Sequence, residues 1–129
     1  MQLSLIRQKH IFLSLFVLVM VASCKQKDTV TEETLFGKWD ITKAERNGKE
    51  TPYLRGGYFV FGKDGQIAFN IKGSEEVNTF TLNNRVIRTK DAKEFVLQSV
   101  KPDSMTVHFM ASPQSEFVFY MVRHHDTTE

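Results

Sequence analysis

From residue 37 to residue 123, apolar and polar side chains alternate in short runs, and nearly every run ends in turn chemistry. The turns are Asn47-Gly48, Lys63-Asp64-Gly65, Lys72-Gly73-Ser74, Asn83-Asn84, Asp91-Ala92-Lys93, Pro102-Asp103 and Ser112-Pro113. A period of two places alternate side chains on opposite faces of a strand. Short strands at such regular spacing argue for a sandwich or a barrel. No amphipathic helical stretch of useful length interrupts them. Eight strands are expected, at about 37–46, 57–62, 65–72, 77–82, 85–90, 94–100, 104–111 and 116–123. One apolar and one wet face along such a meander suit an all-β, antiparallel, up-and-down sheet that curls shut and so removes its edges.

Alternation also sorts the side chains. Trp39 and Ile41 are expected inside, with Phe59, Phe61, Ile67, Phe69, Ile71, Phe80, Leu82, Phe95, Leu97, Met105, Val107, Phe109, Phe117, Phe119 and Met121. The fifth strand is ambiguous, since Val86 and Ile87 are adjacent and face opposite ways. Val118, Tyr120 and Val122 form an apolar stripe on the outside of the last strand, a surface for a partner, a terminus or a membrane.

The chain before this region has a different character. Arg7 and Lys9 precede an apolar run over 11–22, broken only by Ser14 and followed by small Ser23. The run is shorter than the roughly 20 residues a membrane span takes. A positive start, a short apolar middle and a small-residue exit describe a secretory signal peptide over 1–23. Val21-Ala22-Ser23-Cys24 resembles the lipobox of bacterial lipoproteins. That resemblance implies a diacylglycerol on Cys24 through a thioether, cleavage before Cys24, and a membrane partner reached through lipid. A thiolate is the best nucleophile available near neutral pH, which is why the chemistry needs cysteine. Residues 24–34 are then the lipidated cysteine and a polar tether. Lys25 does not signal inner-membrane retention, and Gln26-Lys27-Asp28 is similar to the charged tags of Bacteroidota surface lipoproteins. The expected location is the bacterial envelope, at the outer membrane.

Arg7 and Lys9 are the only formal charges before Cys24, so the remaining chain balances its 15 acids with as many bases. The +2 charge of the full chain is therefore no nucleic-acid footprint. Cys24 is the single cysteine, so no disulfide supports the fold. Stability must come from a core of nine phenylalanines, Trp39 and the tyrosines, enough for one small domain.

Leu35-Phe36-Gly37-Lys38-Trp39 opens the first strand and Met121-Val122-Arg123 closes the last. A Gly-x-Trp at the start and an arginine at the end of an eight-strand meander resemble the lipocalin group, most of all small Bacteroidota lipoproteins of that type. The resemblance implies a barrel over 35–123, closed at one end by Gly37, Trp39 and Arg123, with a flexible tail at 124–129. Arg123 lies in phase with Met121 and Phe119, so its guanidinium is expected over the indole. The resemblance also implies a small hydrophobic ligand among Phe59, Phe61, Phe69, Phe80, Phe95 and Phe109, under a lid made by Tyr53 and Leu54 in the 47–57 loop. The missing cysteine pair and the short strands depart from typical lipocalins, and an eight-stranded barrel is only just wide enough for one small ligand. The alternative is a packed barrel acting on an envelope protein, as scaffold or as inhibitor of a secreted enzyme.

No catalytic residue is expected. Glu75-Glu76 sit near a turn, and no phosphate loop or nucleophile elbow occurs. His124-His125-Asp126 lack a third ligand on a fixed element, so no metal is expected. No cofactor is implied.

Overall fold

A computed structural model describes residues 29–71 and 73–126. The signal segment, Cys24 and the tether up to residue 28 lie outside the described residues. The strands are β1 Gly37–Arg46, β2 Lys49–Glu50, β3 Tyr58–Phe61, β4 Gln66–Asn70, β5 Glu76–Asn83, β6 Val86–Thr89, β7 Glu94–Val100, β8 Ser104–Ser112 and β9 Ser115–Arg123. Each pairs antiparallel with its neighbour in the order β2-β1-β3-β4-β5-β6-β7-β8-β9, and β1 pairs again with β9. That last ladder, from Trp39 opposite Arg123 to Arg46 opposite Phe117, closes the sheet. The result is an eight-stranded antiparallel up-and-down barrel, with β2 as a two-residue flap on β1 across the Asn47-Gly48 turn. Asn-Gly at a two-residue loop matches the twist of the flanking strands. Closure leaves no free edge along the barrel wall.

The expected strands all form, and the expected inward residues make up the core. Trp39, Ile41, Phe59, Phe61, Ile67, Phe69, Phe80, Phe95, Leu97, Met105, Val107, Phe109, Phe119 and Met121 are buried. Ile71, Leu82 and Phe117 are half-buried against them. The fifth strand is settled by pairing: Ile87 lies opposite Phe95 and turns inward, whereas Val86 faces out.

Two core residues come from elsewhere. Strict alternation after Ile41 would send Lys43 inward, but a bulge between Ile41 and Lys43 resets the phase and buries Ala44 instead. An extra residue in one strand absorbs the register change, and a charge at the would-be inward position is the reason to need it. The second is Leu35, in a single helical turn over Glu32–Leu35. The polar segment expected as tether thus ends in an ordered turn, and Val30 also packs on the core.

The interior is a continuous aromatic stack. Phe59 meets Phe69 at 5.7 Å, Phe95 at 5.4 Å and Phe119 at 5.9 Å between ring centroids. Phe95 meets Phe109 at 4.7 Å, and Phe109 leads on to Phe117. Each buried ring stabilises the fold by roughly 2–3 kcal/mol, and each well-oriented pair adds about 0.5–1.5 kcal/mol.

Candidate functional site: a sealed end and an apolar mouth

The barrel ends differ. At the end holding the start of β1 and the finish of β9, Trp39 is fully buried and its Nε1 donates to the Leu35 carbonyl at 2.8 Å. The Arg123 guanidinium lies 4.2 Å from the indole centroid. It donates from Nε to the Pro102 carbonyl at 3.0 Å, from Nη1 to Phe36 at 2.6 Å and from Nη2 to Thr34 at 3.0 Å. One cation thus satisfies carbonyls from the helical turn and from the β7–β8 loop while covering the ring. A planar fork with five donors suits this task, and a lysine would not reproduce it.

Gly37 makes the arrangement possible. Its φ is +110°, and a Cβ there would sit 3.2 Å from Arg123 Nη1. L side chains avoid that backbone region, so Gly37→Ala is expected to destabilise the barrel by about 1–3 kcal/mol. Urea denaturation measures it, and an unchanged midpoint would contradict the role given to this glycine.

The other end is a mouth. It is bordered by Leu54, Ile71, Phe109, Ala111, Phe117 and Phe119, around a cavity of about 40 Å³. Of the six phenylalanines expected to line a ligand chamber, all face the barrel axis, but only Phe109 borders this cavity. Phe59, Phe61, Phe69, Phe80 and Phe95 pack against one another and fill the space they enclose. Sites for drug-sized ligands measure roughly 300–1,000 Å³, far above what the mouth holds at rest.

The expected lid is corrected in half. Pro52–Leu54 forms a 3-10 turn that aims Leu54 at the core, while its neighbour Tyr53 points away and is 93% exposed. Adjacent residues of one tight turn cannot both face the barrel. Gly57, at the end of the same loop, is held down by close packing. Its carbonyl accepts from Ile41 N at 2.9 Å, and a Cβ there would come within 2.6 Å of the Asn70 carbonyl.

The polar rim of the mouth was not foreseen as such. Lys93 pairs with Asp91, reaches Glu76 at 3.3 Å and lies 5.9 Å from the Phe69 ring centroid. Thr89, buried at 3% exposure, donates to Asp91 and accepts from Lys93 N at 3.0 Å. Tyr58 donates to Glu75 nearby. Read alone, Asp91-Ala92-Lys93 is only a turn; its links to β5 and Phe69 come from closure.

The Lys93 ammonium, then the Thr89 hydroxyl, hold the Asp91 carboxyl below its ordinary value, and the Asp91 carboxylate raises Lys93. The carboxylate contribution is therefore complete above the ordinary carboxylate range of about 4 and fades as pH falls through the lowered value. The ammonium contribution is complete below about 10.4 and fades as pH rises through the raised value. The Thr89 and Lys93 amide shifts are accordingly expected to stay flat between these limits and to move only outside them. A transition near pH 6–7 would contradict the rim geometry.

The remaining sequence features fall apart as sites. His124 pairs with Asp40 and His125 lies 3.9 Å from Asp103. Among the described residues no three His, Cys, Asp or Glu side chains converge on a metal position.

No protein-family model matches the chain, and no curated protein does. Among solved structures, a complex of bovine odorant-binding protein with a selenium-containing odorant matches 80% of this chain and 78% of its own, at 14% identity and a TM-score of 0.47. At that level the likeness adds nothing to the geometry. What defines the chain is its own closure: β1 on β9, one end shut by Trp39 and Arg123, the other left apolar.

Proposed function

We propose that this is a lipid-anchored envelope lipoprotein of lipocalin-like build that holds a small hydrophobic molecule at the mouth of its barrel. The observation that carries the reading is the asymmetry of the two ends. One is closed by a buried indole under a guanidinium, and the other keeps an apolar cavity walled partly by half-buried Leu54, Ile71 and Phe117. The resting volume fits a guest no larger than a small ring or a short alkyl chain, unless Leu54 and Phe117 swing aside. The apolar walls and the polar rim at Lys93 and Glu76 favour an apolar body with one polar tip.

The test is a titration of the protein with indole, naphthol and short fatty acids, followed by NMR. Saturable shifts are expected at the Leu54, Ile71 and Ala111 methyls, with Met105 and Met121 unmoved. No saturable shift with any probe, or shifts confined to the sealed end, would overturn the reading. Anchoring is tested separately by the mass of the mature protein, expected to begin at an acylated Cys24. Among the described residues no helix is long and apolar enough to cross a membrane.

A second reading is favoured by the filled interior together with Val77 at 61% and Met110 at 48% exposure, on the mouth-side ends of β5 and β8. In that reading the packed barrel acts on an envelope protein as scaffold or inhibitor. It gains support if no small probe binds and a photo-crosslinker at Met110 captures one defined partner.

A further inference from the structure

The sealed end carries a groove that the closure does not use. Its volume is about 640 Å³, and Thr29 and Val30 form one wall. Val30, Val100 and Pro102 give it an apolar floor, and Arg85, Lys101 and Arg123 border it. Arg85 spends Nη1 on the Leu97 and Gln98 carbonyls, and Arg123 spends its donors on carbonyls already described. Among the described residues none of the three is ion-paired. Among the described residues no carboxylate borders the groove. Three cations without an ion-pair partner among the described residues, beside an apolar floor, complement a ligand with an anionic head on an apolar body.

The path of the chain names the source of that ligand. Only four residues lie between Cys24 and Thr29, and the five steps from one to the other span at most about 18 Å. An anchor on Cys24 therefore keeps the groove close to the headgroup layer, within about two Debye lengths at physiological salt. We propose that the groove seats anionic phospholipid headgroups of the anchoring membrane, so that the barrel stands sealed end down with its mouth facing away. This rests on the reading of Cys24 as a lipid anchor. Each cation beside an anionic surface contributes roughly fivefold to partitioning. Removing Arg85 and Lys101 together is then expected to cost roughly twenty-five-fold in the seated population.

The test uses the full, processed protein with a fluorophore on Ser99→Cys, at the groove, or on Gln114→Cys, at the mouth; both positions are exposed. Each is reconstituted into phosphatidylcholine vesicles, with or without phosphatidylglycerol, that carry a headgroup quencher. The Ser99 label is expected to be quenched strongly only with phosphatidylglycerol, and the Gln114 label little in either. Arg85→Gln/Lys101→Gln is expected to return the Ser99 signal to its phosphatidylcholine level, with Trp39 fluorescence unchanged as the folding control. Equal quenching at both positions, or quenching indifferent to the double variant, overturns the proposal. Fluorophore attaching to the chain without either added cysteine reveals a bare Cys24. That outcome ends the anchor reading and this proposal with it, whereas an acylated Cys24 with an unquenched Ser99 label ends this proposal alone.

Discussion

Trp39→Ala is expected to destabilise the barrel by about 4 kcal/mol, within the usual range for removing a buried tryptophan. The ring is fully buried, its Nε1 satisfies the Leu35 carbonyl, and it is the surface on which Arg123 rests at 4.2 Å. Losing it opens a void at the base of the barrel and removes the seat of the guanidinium. Small domains are stable by only about 5–15 kcal/mol in all, so the variant is left marginal. In urea, with a slope of about 1–3 kcal/mol per molar, its midpoint should fall by roughly 2 M. Circular dichroism must follow the transition, since Trp39 is the single tryptophan. Arg123→Gln serves as the partner in a double-mutant cycle. Residues in contact couple by about 0.5–3 kcal/mol, and a value near 1 is expected here. Additive losses would mean that indole and guanidinium merely lie near each other.

Phe95→Ala is expected to cost a similar amount, about 3–5 kcal/mol, and to change what the barrel can hold. Phe95 is fully buried and touches the rings of Phe59, Phe69 and Phe109. Phe109 in turn borders the mouth cavity. Deleting the Phe95 ring therefore joins a new void to the existing one. Apolar cavities on the order of 150 Å³ stay dry and take benzene, so the variant should gain a second, deep benzene site among Phe59, Phe69 and Phe109, beyond any guest the mouth takes. Calorimetry with benzene is the readout. A variant that unfolds outright can be replaced by Phe95→Leu, which opens less space at lower cost. More than one benzene per parent chain would contradict the packed interior.

These expectations rest on features of unequal visibility in the sequence. The strands and their inward residues were readable because a period of two leaves every second position either apolar or polar, and because turn residues punctuate the runs. Gly37, Trp39 and Arg123 were readable as one cluster only once the first and last strands were taken as neighbours, which the β1–β9 ladder makes them. Ala44 was hidden because the bulge after Ile41 is a property of the ladder between two strands; Lys43 breaks the alternation without saying where the phase resumes. Leu35 was hidden because a four-residue turn is too short to show helical periodicity. Phe59, Phe69 and Phe95 were rightly placed inside, but whether inward rings line a space or fill it depends on volumes that no pattern encodes. Tyr53 was misplaced as a lid because composition cannot say which residue of a 3-10 turn faces the barrel. The groove at Arg85 and Lys101 was invisible for a similar reason: its walls come from segments more than fifty residues apart.

Xenon-pressurised crystals bear most directly on the claim that the interior is full and only the mouth is open. Xenon occupies dry apolar cavities and little else. The expected result is one xenon atom between Leu54, Ile71 and Phe117, matching the space of about 40 Å³ found there. Xenon seated deep among Phe59, Phe69 and Phe95, or a mouth that takes none, would contradict it.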